Sequence, residues 1–119
     1  MKDFRSLMVW QKAHQVTLAV YRVTSTFPKE ELYGLTNQMR RSSASVPTNI
    51  AEGCGREGDS ELARFFQIAM ASASELEYQL LLAHDLGFIE QTTYTQLNND
   101  LTEVRKMLNA FLQRLRAKP

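Results

Sequence analysis

Along the first third of the chain, apolar residues fall at Val9, Ala13, Val16, Val20, Val23 and Phe27. Their alternating steps of four and three place them on one face of a helix. Ser6 stands where an N-cap belongs. The helix must end near Thr26, because Pro28 disfavours helical geometry at Phe27 and lacks the amide needed to continue the ladder. After a connector over 28–34 the pattern resumes through Leu35, Met39, Ser42 or Ser43, Val46 and Ile50, and reaches Gly53-Cys54-Gly55. Two glycines there give the backbone the freedom that a helix end uses. Pro47 interrupts this second helix: it removes one bond to the Ser43 carbonyl, and its ring clashes there. The spacing therefore predicts a kink or break near 43–46, or else a new short helix with Pro47 in its first turn. The hydroxyls of Ser42, Ser43 and Ser45 are placed to serve the freed backbone groups.

The third helix should open at Asp59 or Ser60, with Glu61 in its first turn, and run to Leu86, with Gly87 as a left-handed cap and Phe88 folding back on the last turn. Its stripe is Leu62, Phe65, Ala69, Ala73, Leu76, Leu80 and Ala83. The apolar surface is wider than one stripe: 16 of the 25 residues over 62–86 are hydrophobic, and 65–74 carries no charge. Such a helix is either central to the fold or part of a subunit interface. The small side chains over 69–74 allow close approach of another helix. Thr93-Tyr94-Thr95-Gln96 reads as a capping box opening the fourth helix. There Tyr94, Leu97, Leu101, Val104, Leu108, Phe111 and Leu115 form the stripe, and Arg105, Lys106, Arg114, Arg116 and Lys118 gather toward the C-terminus. No segment reads as a strand. Four helices joined by short connectors give an all-α, up-down-up-down antiparallel four-helix bundle, a single domain over 1–119.

Composition narrows the function classes. With 119 residues, 44% hydrophobic and 23% charged, the chain has the mix of a well-packed domain and no room for a second one. A single Cys cannot form an internal disulfide, and the start Met1-Lys2-Asp3 carries no apolar leader, so a cytoplasmic location is expected. No uncharged apolar stretch is long enough to cross a membrane. The net charge of +1 is uneven: +3 over 1–58, −5 over 59–90 and +3 over 91–119. This pattern reflects either charge matching between neighbouring helices or two surfaces of opposite sign.

Chemistry-bearing constellations are sparse. A di-metal bundle needs paired Glu-x-x-His motifs, but His14 and His84 follow Gln11 and Leu81 at that spacing. No metal or other cofactor is therefore expected. Ser42, Ser43, Ser45 and Cys54 lack a nearby base, a nucleophile elbow or a phosphate loop, and Cys54 between its glycines reads as exposed. The expectation is a protein that is not an enzyme. Phe4, Trp10 and Tyr33, near helix starts, are candidates for packing on a neighbouring subunit. Arg40, Arg41, Asn49, Glu52 and Arg56 stand out as polar residues on or beside the second helix. One reading pairs Glu52 with an arginine and has Asn49 satisfy backbone near Pro47. The other is an anion-facing patch, since guanidinium forks suit phosphate oxygens.

The blocks Leu7-Met8-Val9-Trp10-Gln11-Lys12-Ala13, Thr26-Phe27-Pro28-Lys29-Glu30-Glu31-Leu32-Tyr33-Gly34-Leu35, Gln38-Met39-Arg40-Arg41-Ser42-Ser43 and Val46-Pro47-Thr48-Asn49-Ile50-Ala51-Glu52-Gly53 resemble the bacterial four-helix bundle proteins encoded in intervening sequences of 23S ribosomal RNA genes. Phe66-Gln67-Ile68-Ala69 and Ser74-Glu75-Leu76-Glu77 continue the likeness. The resemblance implies a homopentamer and kinship with the accessory variability determinant of diversity-generating retroelements, which binds a reverse transcriptase and nucleic acid through a basic surface. This nearly neutral chain departs from that basic character. Residues and resemblance together lead to a non-enzymatic pentamer that contacts RNA, DNA or a nucleoprotein through Arg40, Arg41 and Arg56, with Arg105, Lys106, Arg114 and Arg116 as secondary contacts. Pro47, Asn49, Glu52 and Gly53 form its structural motif. The alternative is a scaffold or protein–protein adaptor whose arginines make ion pairs within or between subunits.

Overall fold

Burial of the first stripe closes a helix over Met8–Thr24 (α1), in which Val9, Ala13, Val16 and Val20 face the core. In the computed structural model, which describes residues 3–117, three further helices follow: Asn37–Cys54 (α2), Asp59–Asp85 (α3) and Gln91–Arg116 (α4). Short connections make them antiparallel neighbours. α1 packs on α2 and α4, and α3 packs on the same two from the opposite side. The bundle measures 49 × 23 × 20 Å. Among the described residues there is no strand, and no helix is long and apolar enough to cross a membrane.

Several helix ends differ from expectation. Ser6 belongs to a single 3-10 turn, Phe4–Ser6, and its hydroxyl bonds to the Asp3 carbonyl; α1 starts after Leu7 without a side-chain cap. The first connector is partly helical, with a 3-10 turn at Lys29–Glu31 followed at Leu32–Thr36 by wide turns that kink at Gly34, φ −113° and ψ −114°, where the Glu31 carboxylate accepts from the Leu35 amide. α4 begins at Gln91, before the supposed capping box. Thr93 lies inside the helix, and Gln96 bonds to Asp100 one turn on. The end of α3 is as expected: Gly87 has φ +81°, its amide bonds to His84 and the Phe88 amide bonds to Ala83, closing a Schellman turn.

α2 runs unbroken through Pro47, so neither a break nor a new helix start occurs there. The Ser43 carbonyl, which loses its amide donor to proline, accepts instead from the Thr17 hydroxyl of α1 at 2.9 Å. The donor comes from a facing helix and not from the nearby serines. Gly53 and Cys54 also lie inside α2, and Cys54 is buried, contrary to its reading as an exposed thiol. Gly53 serves close approach rather than backbone freedom: a Cβ there would sit 3.1 Å from the Phe65 Cβ and 3.2 Å from Leu62 Cδ1 on α3, so those neighbours would have to give way by a few tenths of an ångström. The chain reverses five residues after Gly53, with Gly58 at φ +85°.

The core contains nearly every stripe residue, plus Phe66, Gln79 and Leu112, which the stripes omit. Phe66 meets Phe111 of α4 with ring centroids 4.9 Å apart. α3 is therefore wedged between two helices, which is why its apolar surface had to be wide. Phe4 and Trp10 pack on each other, and Trp10 stacks on His14, while Tyr33 is exposed.

Candidate functional site

The cations singled out from the sequence do not form one patch. Arg40 and Arg41 lie near the start of α2, whereas Arg56 follows its end, on the order of 20 Å away at 1.5 Å per residue. Arg40 is half-buried and turned toward α1. Its Nε donates to Thr24 Oγ1 at 2.9 Å and its guanidinium covers the Tyr21 ring at 5.0 Å. A cation in this position answers the partial negative charge at the C-terminus of α1. Arg56 pairs with Glu52 at 3.5 Å and lies over Phe65. Arg105 bonds to Glu77 of α3 at 2.8 Å. Asn49 donates to the Ser45 carbonyl at 2.8 Å and to the Ser45 hydroxyl at 3.0 Å. Lys106, Arg114 and Arg116 remain on the lower half of α4. Arg114 covers Phe111, and none of the three makes an ion pair among the described residues. Lys118 lies outside the described residues.

Arg41, one position on from Arg40, points along a different face and borders a groove between α2 and α3. The groove has a volume of about 330 Å³ and its walls carry Gln38, Arg41, Ser45, Ser72 and Glu75. Its floor is a set of polar bonds between the helices. The buried Ser42 hydroxyl donates to Gln79 Oε1, Gln79 Nε2 donates to Glu75 at 3.2 Å, and the hydroxyls of Ser45 and Ser72 are 2.8 Å apart. A buried amide and hydroxyls survive in an interior only when bonded in this way. Among the described residues no group of three His, Cys, Asp or Glu side chains is placed to hold a metal. His84 stacks on Tyr94 and faces Gln91 at 2.8 Å.

This bundle and its polar seam can be set beside known proteins. The family model for the 23S rRNA-intervening sequence protein matches residues 5–110. The chain belongs to that family. Among solved structures, this intervening-sequence protein is similar to a crystal structure of a protein of unknown function from the S23 ribosomal protein family of Bacteroides thetaiotaomicron VPI-5482. The TM-score is 0.82 at 24% identity, covering 88% of this chain and 98% of that one. At that identity the likeness speaks for the fold alone. No curated protein matches the chain significantly.

In this intervening-sequence protein, one of the two readings of the sequence paired Glu52 with an arginine and set Asn49 against the backbone near Pro47, and those contacts are present. Sequence reasoning missed Thr17, Ser72, Glu75 and Gln79, which complete the α1–α2 and α2–α3 seams. Gln79 left a faint signal, one position from Leu80 and three from Leu76 on the inner side of α3. Its bonding partner is 37 residues away in sequence, so only the fold identifies it.

Proposed function

We propose that this protein is a non-enzymatic, self-assembling helical scaffold in the cytoplasm, with α3 as its association surface. The observation that carries this reading is the outward side of α3. Ile68, Tyr78 and Leu81 are 39%, 62% and 42% exposed there, with the small Ala71 between them. Large apolar side chains grouped on the face opposite the core suit burial by another helix. A homopentamer is the expected assembly. Sedimentation velocity at micromolar concentration should give the mass of five 13.6 kDa chains. Tyr78→Glu with Leu81→Lys should give monomers of unchanged helix content. A monomeric parent protein would overturn the reading.

A second reading, binding of RNA or DNA, is favoured by Lys106, Arg114 and Arg116, which carry no carboxylate partner among the described residues. Arg40, Arg56 and Arg105 are already engaged within the chain and add little to it. Polarisation titrations of labelled structured RNA and of single- and double-stranded DNA should then show binding that falls steeply with salt. Replacing the three cations with alanine should lower the slope of log K against log salt by about 2 to 3. Absence of binding at low salt would leave the scaffold, or an adaptor for a protein partner, as the function.

A further inference from the structure

The two charged walls of the α2–α3 groove are unusual because they face one space without closing on each other. Arg41, on α2, makes no hydrogen bond or ion pair among the described residues. Glu75, on α3, forms no ion pair; its one side-chain bond is the Gln79 amide at 3.2 Å. That bond is part of a chain that starts in the core. Ser42 and Gln79 are 4% and 5% exposed, and the Ser42 hydroxyl fixes the Gln79 side chain, which in turn orients the Glu75 carboxylate. The bridges Ser42–Gln79 and Ser45–Ser72 fix the antiparallel register of the two helices. Arg41 and Glu75 thus stand within about one helical turn of each other along the groove.

We propose that this groove binds a small zwitterion, a free α-amino acid or a compound with the same pairing of ammonium and carboxylate. The ligand carboxylate meets the Arg41 guanidinium, whose planar fork suits two carboxylate oxygens. The ammonium meets the Glu75 oxygen that Gln79 leaves open. Ser45 and Ser72 share one hydrogen bond, and Ser45 also accepts from Asn49; the pair of hydroxyls keeps one donor and further acceptor capacity toward the ligand. Gln38, at the rim, offers an amide to a polar side chain. The volume of about 330 Å³ lies within the range of small-molecule sites, roughly 300–1,000 Å³. Net charge selects the class. A phosphate or polyanion meets repulsion from Glu75 and a simple cation meets Arg41, whereas a ligand of zero net charge with separated ends satisfies both walls. Orientation of Glu75 from the core means that binding does not have to immobilise it.

The test is a titration of the full-length ¹⁵N-labelled chain with each of the standard L-amino acids in turn, to about 10 mM, enough to fill a millimolar site. Saturable amide shifts confined to Ser42, Ser45, Ser72 and their neighbours are expected for at least one. The N-acetyl and carboxamide derivatives of that amino acid, each lacking one charge, should bind roughly tenfold or more weakly. Arg41→Gln and Glu75→Gln should cause a similar loss. Both positions are exposed, and Gln at 75 still accepts from Gln79, so melting temperatures should stay within about 4 °C of the parent. Absence of saturable shifts with every amino acid would overturn the proposal. So would equal binding of the single-charge derivatives, or a large stability loss in both variants without a change in binding.

Discussion

Thr17 and Ser43 show how a proline is accommodated inside a helix. Pro47 withholds the amide that the Ser43 carbonyl would accept, and the buried Thr17 hydroxyl supplies a donor from α1 at 2.9 Å while also lying 3.1 Å from its own Ala13 carbonyl. Thr17→Val keeps the shape and removes the donor. It should cost about 1–3 kcal/mol, because a buried carbonyl is left unpaired. In a Pro47→Ala background the restored amide serves Ser43, so the same valine substitution should cost clearly less. Chemical denaturation of the four proteins gives the coupling. An unchanged penalty would falsify this account of the bond. Gly53 presents the complementary case, a residue defined by what it lacks: its missing Cβ lets α2 approach Leu62 and Phe65.

The ends of the helices separate local from distant causes. The Gly87 cap of α3 was legible because a left-handed turn needs glycine, and its bonds join residues no more than five apart. The Thr93–Gln96 box met the right spacing, yet α4 starts earlier and Gln96 turns to Asp100. At the start of α3, the hydrogen bond from Arg64 at 2.9 Å, opposed by desolvation and aided by the nearby Arg64 and Arg56 charges, holds the Glu61 carboxyl below its ordinary value. A carboxyl depressed on folding adds stability above its unfolded pKa, about 4.3. That contribution is lost as pH falls through the lower folded value. An NMR titration should place the Glu61 midpoint below that of an unpaired glutamate, and Arg64→Gln should move it upward. An unshifted midpoint in the parent protein would refute the pairing in solution.

The bundle as a whole leaves α3 with two faces of different use. One is wedged between α2 and α4, where Phe66 and Gln79 join the stripe; the other exposes Ile68, Tyr78 and Leu81. If that outer face is buried between copies, folding and association are linked, and the melting midpoint should rise with protein concentration. Calorimetry across a hundredfold dilution series checks this, and a midpoint independent of concentration would point to a folded monomer. The dispersal of the arginines acts at the same level. Arg40 and Arg56 lie toward opposite ends of a bundle 49 Å long, so their charges cannot concentrate as a single basic patch does.

The periodic apolar positions alone determined four helices, their antiparallel order and most of the core, because helix faces repeat every three or four residues and short connectors leave few ways to pack. They also exposed the excess apolar width of α3. Tertiary structure decided what depends on two distant segments meeting. It set the route of α2 through Pro47, the burial of Cys54 and the assignment of Arg40 and Arg105 to internal partners. It also placed Arg41 and Glu75 on one polar groove. Those outcomes follow from bonds and packing between segments far apart in the chain, for which local periodicity carries no signal.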